Sequence, residues 1–185
     1  MKRIMLILVM ASLAADLFGQ TDQKVQKQME QIDKKAKRDL EYSTNKQYLI
    51  QLAENRDLVL EATSIYGRHG YNATVTQNNF ILIDSTHFVM QTSAPNYVGQ
   101  NGMGGVTIRG TITSYDVKPG KEKQPVVITA QVNTLGLGGA TLIIRLPNPD
   151  NCSAIFTTNL GGTLTFTGPV TSVQESSVYK GMNMY

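Results

Sequence analysis

Residues 99–110 read GQNGMGGVTIRG, and the fold of the chain turns on whether this stretch is a phosphate cradle or a turn between strands. A dinucleotide fingerprint needs G-x-G-x-x-G after a strand and at the start of a helix, because the helix N-terminus supplies the positive potential that holds a pyrophosphate. Gly102 and Gly104 give the first half, but Thr107 stands where the third glycine belongs. The continuation, VTIRGTITSYDV from Val106, is β-branched and carries no helical period. No Gly-Lys-Ser or Gly-Lys-Thr occurs, so the P-loop fails as well. Related pieces recur: GMGGVTIRG from Gly102, GLGGATLII from Gly136 and LGGTLTFTG from Leu160. Each glycine pair feeds a β-rich run, which is the signature of turns repeated along one antiparallel sheet.

Reading outward, runs of Val, Ile, Thr and Phe bounded by Gly, Asn, Asp and Pro predict strands near residues 57–66, 79–84, 86–93, 104–117, 125–134, 139–147, 152–157 and 162–168. Eight strands with short turns and no room for crossover helices make a mainly β, antiparallel up-and-down meander. Alternation supports it. Leu164 and Phe166 point one way and Thr163, Thr165 and Thr167 the other; Val126, Ile128, Ala130 and Val132 share a face, as do Ala140, Leu142, Ile144 and Leu146. One strand changes phase: Val106, Ile108, Gly110 and Ile112 are in step, Tyr115 and Val117 are not. A bulge at Thr113 or Ser114 restores the inward face and bends the sheet toward a barrel. An eight-stranded barrel holds its own side chains or one small ligand. The inward phase has bulky residues (Ile108, Ile112, Ile128, Leu142, Ile144, Leu164, Phe166) and small ones (Ala130, Ala140, Gly110, Gly168), with no charge among them. A shallow apolar pocket is therefore expected at the mouth, near Tyr97, Met103 and Tyr115.

The first part of the chain is different in kind. Of 185 residues with a net charge of +3, the first 19 combine Lys2 and Arg3 with an apolar run from Ile4 to Ala15, the pattern of a secretory signal peptide with cleavage expected after Gly19. The run is shorter than the ~20 residues of a membrane span. The single cysteine, Cys152, is far from the site a lipoprotein would need, so a periplasmic or secreted protein that is not a lipoprotein is expected. Cys152 itself reads as a small buried hydrophobe. Residues 20–56 form a polar helical segment, in which Val25, Met29, Ile32, Ala36 and Leu40 make one narrow stripe. Ser43 to Asn45 should interrupt it, with Thr44 and Gln47 capping a second helix that buries Tyr48, Leu49, Leu52 and Ala53. The basic cluster at 34–38 is flanked by Asp33, Asp39 and Glu41 and lacks interleaved aromatics, so it reads as a solvated face and no nucleic acid is expected. Residues 57–185 are the barrel domain.

No catalytic constellation emerges. Asp84, Ser85, Thr86 and His87 are consecutive, as turn formers are, whereas a triad converges from separate parts of a fold. His69 lacks a second ligand at metal spacing. Asp57 and Glu61 read as outward carboxylates on an exposed strand. Neither metal nor cofactor is expected.

The segments LVLEA from Leu58, Asn79-Phe80, QNGMGGVTIRGTIT from Gln100, GGTLTFTG from Gly161 and Tyr179-Lys180-Gly181 resemble a bacterial family catalogued as domain of unknown function 4251. The likeness spans residues 45–182. It implies an exported protein of Gram-negative envelopes with a small barrel of lipocalin-like shape, and it carries no activity. Expected is a non-enzymatic binding module for a small apolar ligand or for a protein or glycan partner. The competing expectation is an assembly protein with a filled barrel and a helix that pairs with another chain.

Overall fold

A computed structural model describes residues 2–67, 72–74, 78–93 and 105–178, with backbone alone for 2–25 and 72–74. One helix, α1 (Lys2–Asn55), opens the chain. The expected interruption at residues 43–45 does not occur: the Ser43 hydroxyl donates to the Leu40 carbonyl at 2.8 Å. Serine can bond back along a helix in this way without ending it, and no glycine or proline lies nearby to break the ladder. The chain divides into two compact units, Met1–Ser43 and Thr44–Tyr185. In the first, residues 26–41 are exposed throughout. The second takes in the last turns of α1, because Leu49, Leu52 and Ala53 are buried in the core of the sheet. Arg56 stops the helix in a left-handed conformation (φ 54°), and its carbonyl accepts the Ser85 N–H at 2.9 Å.

Among the described residues eleven strands follow: β1 (Asp57–Glu61), β2 (Ser64–Gly67), β3 (Asn72–Thr74), β4 (Phe80–Asp84), β5 (His87–Gln91), β6 (Thr107–Lys118), β7 (Val126–Thr134), β8 (Gly138–Asn148), β9 (Asn151–Thr158), β10 (Thr163–Gly168) and β11 (Val170–Thr171). They form one sheet in the order β11-β1-β4-β5-β6-β7-β8-β9-β10-β2-β3. From β4 to β10 this is the antiparallel meander expected, each strand beside its successor. The expected count of eight is corrected in two ways. The first segment is two strands that part at Ala62 and Thr63, and the short β3 and β11 extend the two ends of the order.

The bend at Ala62 and Thr63 curls the sheet. β1 pairs with β4 and β2 pairs with β10, so one bent segment is bonded to both ends of the meander. At the bend the Glu61 N–H donates to Pro169 (3.0 Å), Ala62 to Asn79 (2.8 Å) and Thr63 to Thr167 (2.7 Å). Such an approach leaves no space at Gly168, where a Cβ would run into the Glu61 carbonyl.

Register places every expected inward residue in one phase. Ile112 faces Val132 and Ser114 faces Gln131, so Thr113 is the extra residue of a bulge, and Tyr115 and Val117 regain the concave side opposite Ala130 and Ile128. A second irregularity, between Arg145 and Asn148, contains Pro147, which has no N–H to give a ladder. The core joins Leu58, Leu60, Ile81, Phe88, Ile128, Leu142, Ile144, Phe156 and Phe166 to the helix residues Leu49, Leu52 and Ala53. Phe88 and Phe156, from strands well apart in the sheet, stack at 5.4 Å between centroids and fill the middle of the curl.

The outer face of β1, β4 and β5 is covered as well. Val59, Phe80, Leu82 and Val89 form a second buried cluster against Val173 and Val178. Asp57 accepts the Val173 N–H at 2.9 Å and Glu61 the Ser176 hydroxyl at 2.7 Å. These carboxylates fasten the C-terminal segment, so the strand expected to be exposed is covered.

Candidate functional site

The two ends of the curled sheet differ. At one end α1 arrives. The Tyr115 hydroxyl donates to the Ala53 carbonyl at 2.7 Å, and the Arg56 guanidinium lies 4.7 Å from the Tyr115 ring centroid. Burial holds the Tyr115 phenol well above the usual range, with the nearby Arg56 charge pulling the other way. The Lys46 ammonium donates to the carbonyls of Gly120, Lys121, Glu122 and Gln124, fastening the charged β6–β7 connection to the helix. Glu175 ties the C-terminal segment in, accepting from the hydroxyls of Ser172, Thr171 and Tyr48 at 3.0–3.1 Å. Those three bonds hold its carboxyl below the usual range.

At the other end there is no helix among the described residues. There β5 ends and β6 begins, and the β7–β8 and β9–β10 turns lie side by side, joined by the Asn159 N–H to the Gly139 carbonyl at 3.1 Å. A cavity of about 450 Å³ opens between them. Met90, Ile108, Leu137, Phe156 and Leu164 supply its apolar wall, and Thr158 and Thr163 are its side-chain hydroxyls. Gly67, Gly161 and Gly162 complete the rim, and no lining residue is charged. Phe156 belongs both to this wall and to the stacked pair, so the curl is filled in the middle and hollow above it.

Of the residues expected at the mouth, Tyr115 is placed at the opposite end, where it seals the helix to the sheet. Tyr97 and Met103 lie outside the described residues. So do His69 and the QNGMG part of the glycine stretch. Gly105, the first described glycine of the stretch, does not have positive φ; it is needed because a Cβ would enter the Thr92 carbonyl. The two related stretches are tight turns with left-handed glycines, Gly136 and Gly138 in one and Gly161 in the other. Small inward residues do not make the space either. A Cβ at Gly110 would strike the Asn133 carbonyl, and Ala130 is fully buried opposite Tyr115 and Leu142.

The wall residues that sequence reasoning missed carry one legible signal. Leu137 is an apolar residue inside a glycine turn, where neither turn chemistry nor strand alternation asks for one. The Asp84–His87 stretch is a hairpin tip: Asp84 pairs with His87, and Ser85 has φ 55°. Cys152 is buried, donates to the Asn148 carbonyl at 3.0 Å, and has its thiol pushed up to about 12, first by burial and then by Asp150. Such a thiol is a poor nucleophile. Among the described residues no group of His, Cys, Asp and Glu could hold a metal ion.

A family model described as "Domain of unknown function (DUF4251)" matches residues 40–170, more than half of the chain. The chain is similar to a crystal structure of a DUF4251 family protein from Bacteroides eggerthii DSM 20697. That similarity has 26% identity and a TM-score of 0.60, covering 76% of this chain and 95% of that one. No curated protein matches.

Proposed function

From a chain that belongs to the DUF4251 family, whose function is not known, we propose a non-enzymatic binding module that holds a small apolar ligand in the cavity at its helix-free end. The observation that carries this is the uncharged wall of Met90, Ile108, Leu137, Phe156 and Leu164 around about 450 Å³. That volume falls within the roughly 300–1,000 Å³ of small-molecule sites, which pair an apolar lining with few polar groups. The bent first strand, bonded at both ends of the meander, supports a closed, lipocalin-like form of the barrel. Lys2, Arg3 and the apolar run after them support export, with removal of residues 1–19 and a periplasmic or secreted mature protein. N-terminal sequencing from the native host checks the last point; retention of Met1 refutes it.

Native mass spectrometry of the purified protein should reveal a co-purified apolar molecule, and the neutral dye N-phenyl-1-naphthylamine should bind saturably. Leu137→Asp puts a carboxylate in the wall at a half-buried site and should weaken the dye about tenfold or more while the fold survives. No saturable binding, or a variant that binds as well as the parent, overturns the proposal.

A second reading has its own support. Met29, Ile32 and Leu40 are each more than 60% exposed on α1, as a helix that pairs with another chain would show. Sedimentation velocity of Ile32→Asp against the parent decides it: an assembly that survives the substitution refutes pairing through this stripe.

A further inference from the structure

Strands β9 and β10 carry apolar residues on one face and hydroxyls on the other. Phe156 and Leu164 pair across them and line the inner cavity. In the opposite phase Thr157 pairs with Thr163, their hydroxyls 3.4 Å apart, and Thr165 follows one step on, between Ile155 and Tyr66 of β2. Tyr66 is 47% exposed, so its ring stands open to solvent beside these hydroxyls. Tyr66, Thr157, Thr163 and Thr165 line a second hollow of about 420 Å³ on this outer side.

The two spaces meet at one rim, for both are bounded by Gly67, Gly161 and Thr163. Glycine keeps that rim low: a Cβ at Gly161 would meet nothing within 4 Å. A molecule seated in the inner cavity can therefore continue over the β9–β10 turn onto the outer face. The chemistry changes as it crosses. Inside are aliphatic and aromatic walls; outside are one phenol ring and three threonines, whose hydroxyls both donate and accept. Ser64 and Thr167, one rung further from the turn, bond each other, whereas no described residue bonds the Thr165 hydroxyl. No residue lining either space is charged. Arg109, next to Ile108 on β6, is in the other phase of that strand, opposite Val89, and lines neither. Arg68 and His69 follow Gly67 in sequence and lie outside the described residues, so an anionic head is the competitor that the experiment must exclude.

We infer that the ligand is an amphiphile, with its apolar tail in the inner cavity and an uncharged, hydroxyl-bearing head of the saccharide kind over the rim, against Tyr66 and the three threonines. This rests on the cavity reading above and adds to it the chemistry of the head. A carboxylate or phosphate calls for charged or multiple N–H donors, which the lining residues lack. A sugar calls for hydroxyl partners that serve in both senses and for a ring to lie on, because its positively polarised C–H groups suit the negative face of an aromatic ring.

Probes that share an eight-carbon tail separate head from tail: octyl glucoside, 1-octanol, octanoate and octyl phosphate, each kept below micelle formation, displacing N-phenyl-1-naphthylamine from the full-length protein. Octyl glucoside should displace the dye at about tenfold lower concentration than 1-octanol, the worth of one ring contact with one or two hydroxyl bonds. Tyr66→Ala and Thr165→Val alter the outer face alone, so each should shrink that preference severalfold while the affinities for dye and 1-octanol stay at the parent's values. Octanoate or octyl phosphate displacing the dye better than octyl glucoside overturns the inference. So does octyl glucoside acting no better than 1-octanol, or a preference that both variants keep. Each of these results leaves the apolar cavity standing, whereas a parent protein that binds no dye removes both readings.

Discussion

Gly168→Ala tests the joint that curls the sheet. Gly168 does not have positive φ, so alanine brings no conformational strain of its own; the obstacle is space. A Cβ there would collide with the Glu61 carbonyl, 3.0 Å from the carbonyl carbon and 2.9 Å from the Thr63 nitrogen, all backbone atoms that cannot swing aside. Relief requires separating the bend from β10, which strains the bonds from Glu61 to Pro169 and from Thr63 to Thr167. Two backbone hydrogen bonds at roughly 1 kcal/mol each, with overpacking of about 1–3 kcal/mol, give about 3–5 kcal/mol. For a domain of this size that lowers Tm by on the order of 10–15 °C. The control is Gly136→Ala, at φ 93° with nothing within 4 Å. It should cost only the left-handed penalty of about 1 kcal/mol. Urea unfolding of both variants, at unchanged slope, measures the difference. If Gly168→Ala loses no more than Gly136→Ala, the bend is not held against β10 and the curl has another cause.

Removing residues 1–43 should leave Tm within a few degrees, since residues 26–41 are exposed and outside the compact sheet unit, whereas removing 1–56 also takes Leu49, Leu52 and Ala53 from the core and should abolish the cooperative transition. Calorimetry of the two truncations checks this. Tyr115→Phe keeps the ring under Arg56 and loses only the bond to Ala53, for a cost of about 0.5–1.5 kcal/mol by urea unfolding. Cys152 should resist a disulfide reagent at pH 8 in the native protein and react on unfolding. Because its folded pKa is raised to about 12, the folded state keeps the proton that the unfolded chain releases, so this contribution is intact below the ordinary thiol range and declines as pH rises from there. Glu175 acts at the other end of the scale: its lowered folded pKa gives stability above the ordinary carboxylate range that is lost as pH falls, and Glu175→Gln should lessen the acid-side fall in Tm.

Alternation, glycine turns and one broken phase were enough to determine an antiparallel meander, its inward residues and the bulge at Thr113, because side-chain direction in a strand depends on nothing beyond its neighbours. The Asp84–His87 tip and the burial of Cys152 were legible for the same local reason. Distant pairing was not. That residues 57–67 bend and join both ends of the meander rests on backbone contacts with β10, about a hundred positions away, which no local pattern encodes. The same limit applies to Tyr115. Tyr115 has the right phase for a mouth residue, yet phase says only which side of the sheet it faces, not which end, and the last turns of α1 close that end over it. Where Ala130 and Gly110 suggested room, neighbouring strands had already taken it. The cavity is instead the space that two adjacent turns leave beyond the Phe88–Phe156 stack, and only packing between elements decides where such a space remains.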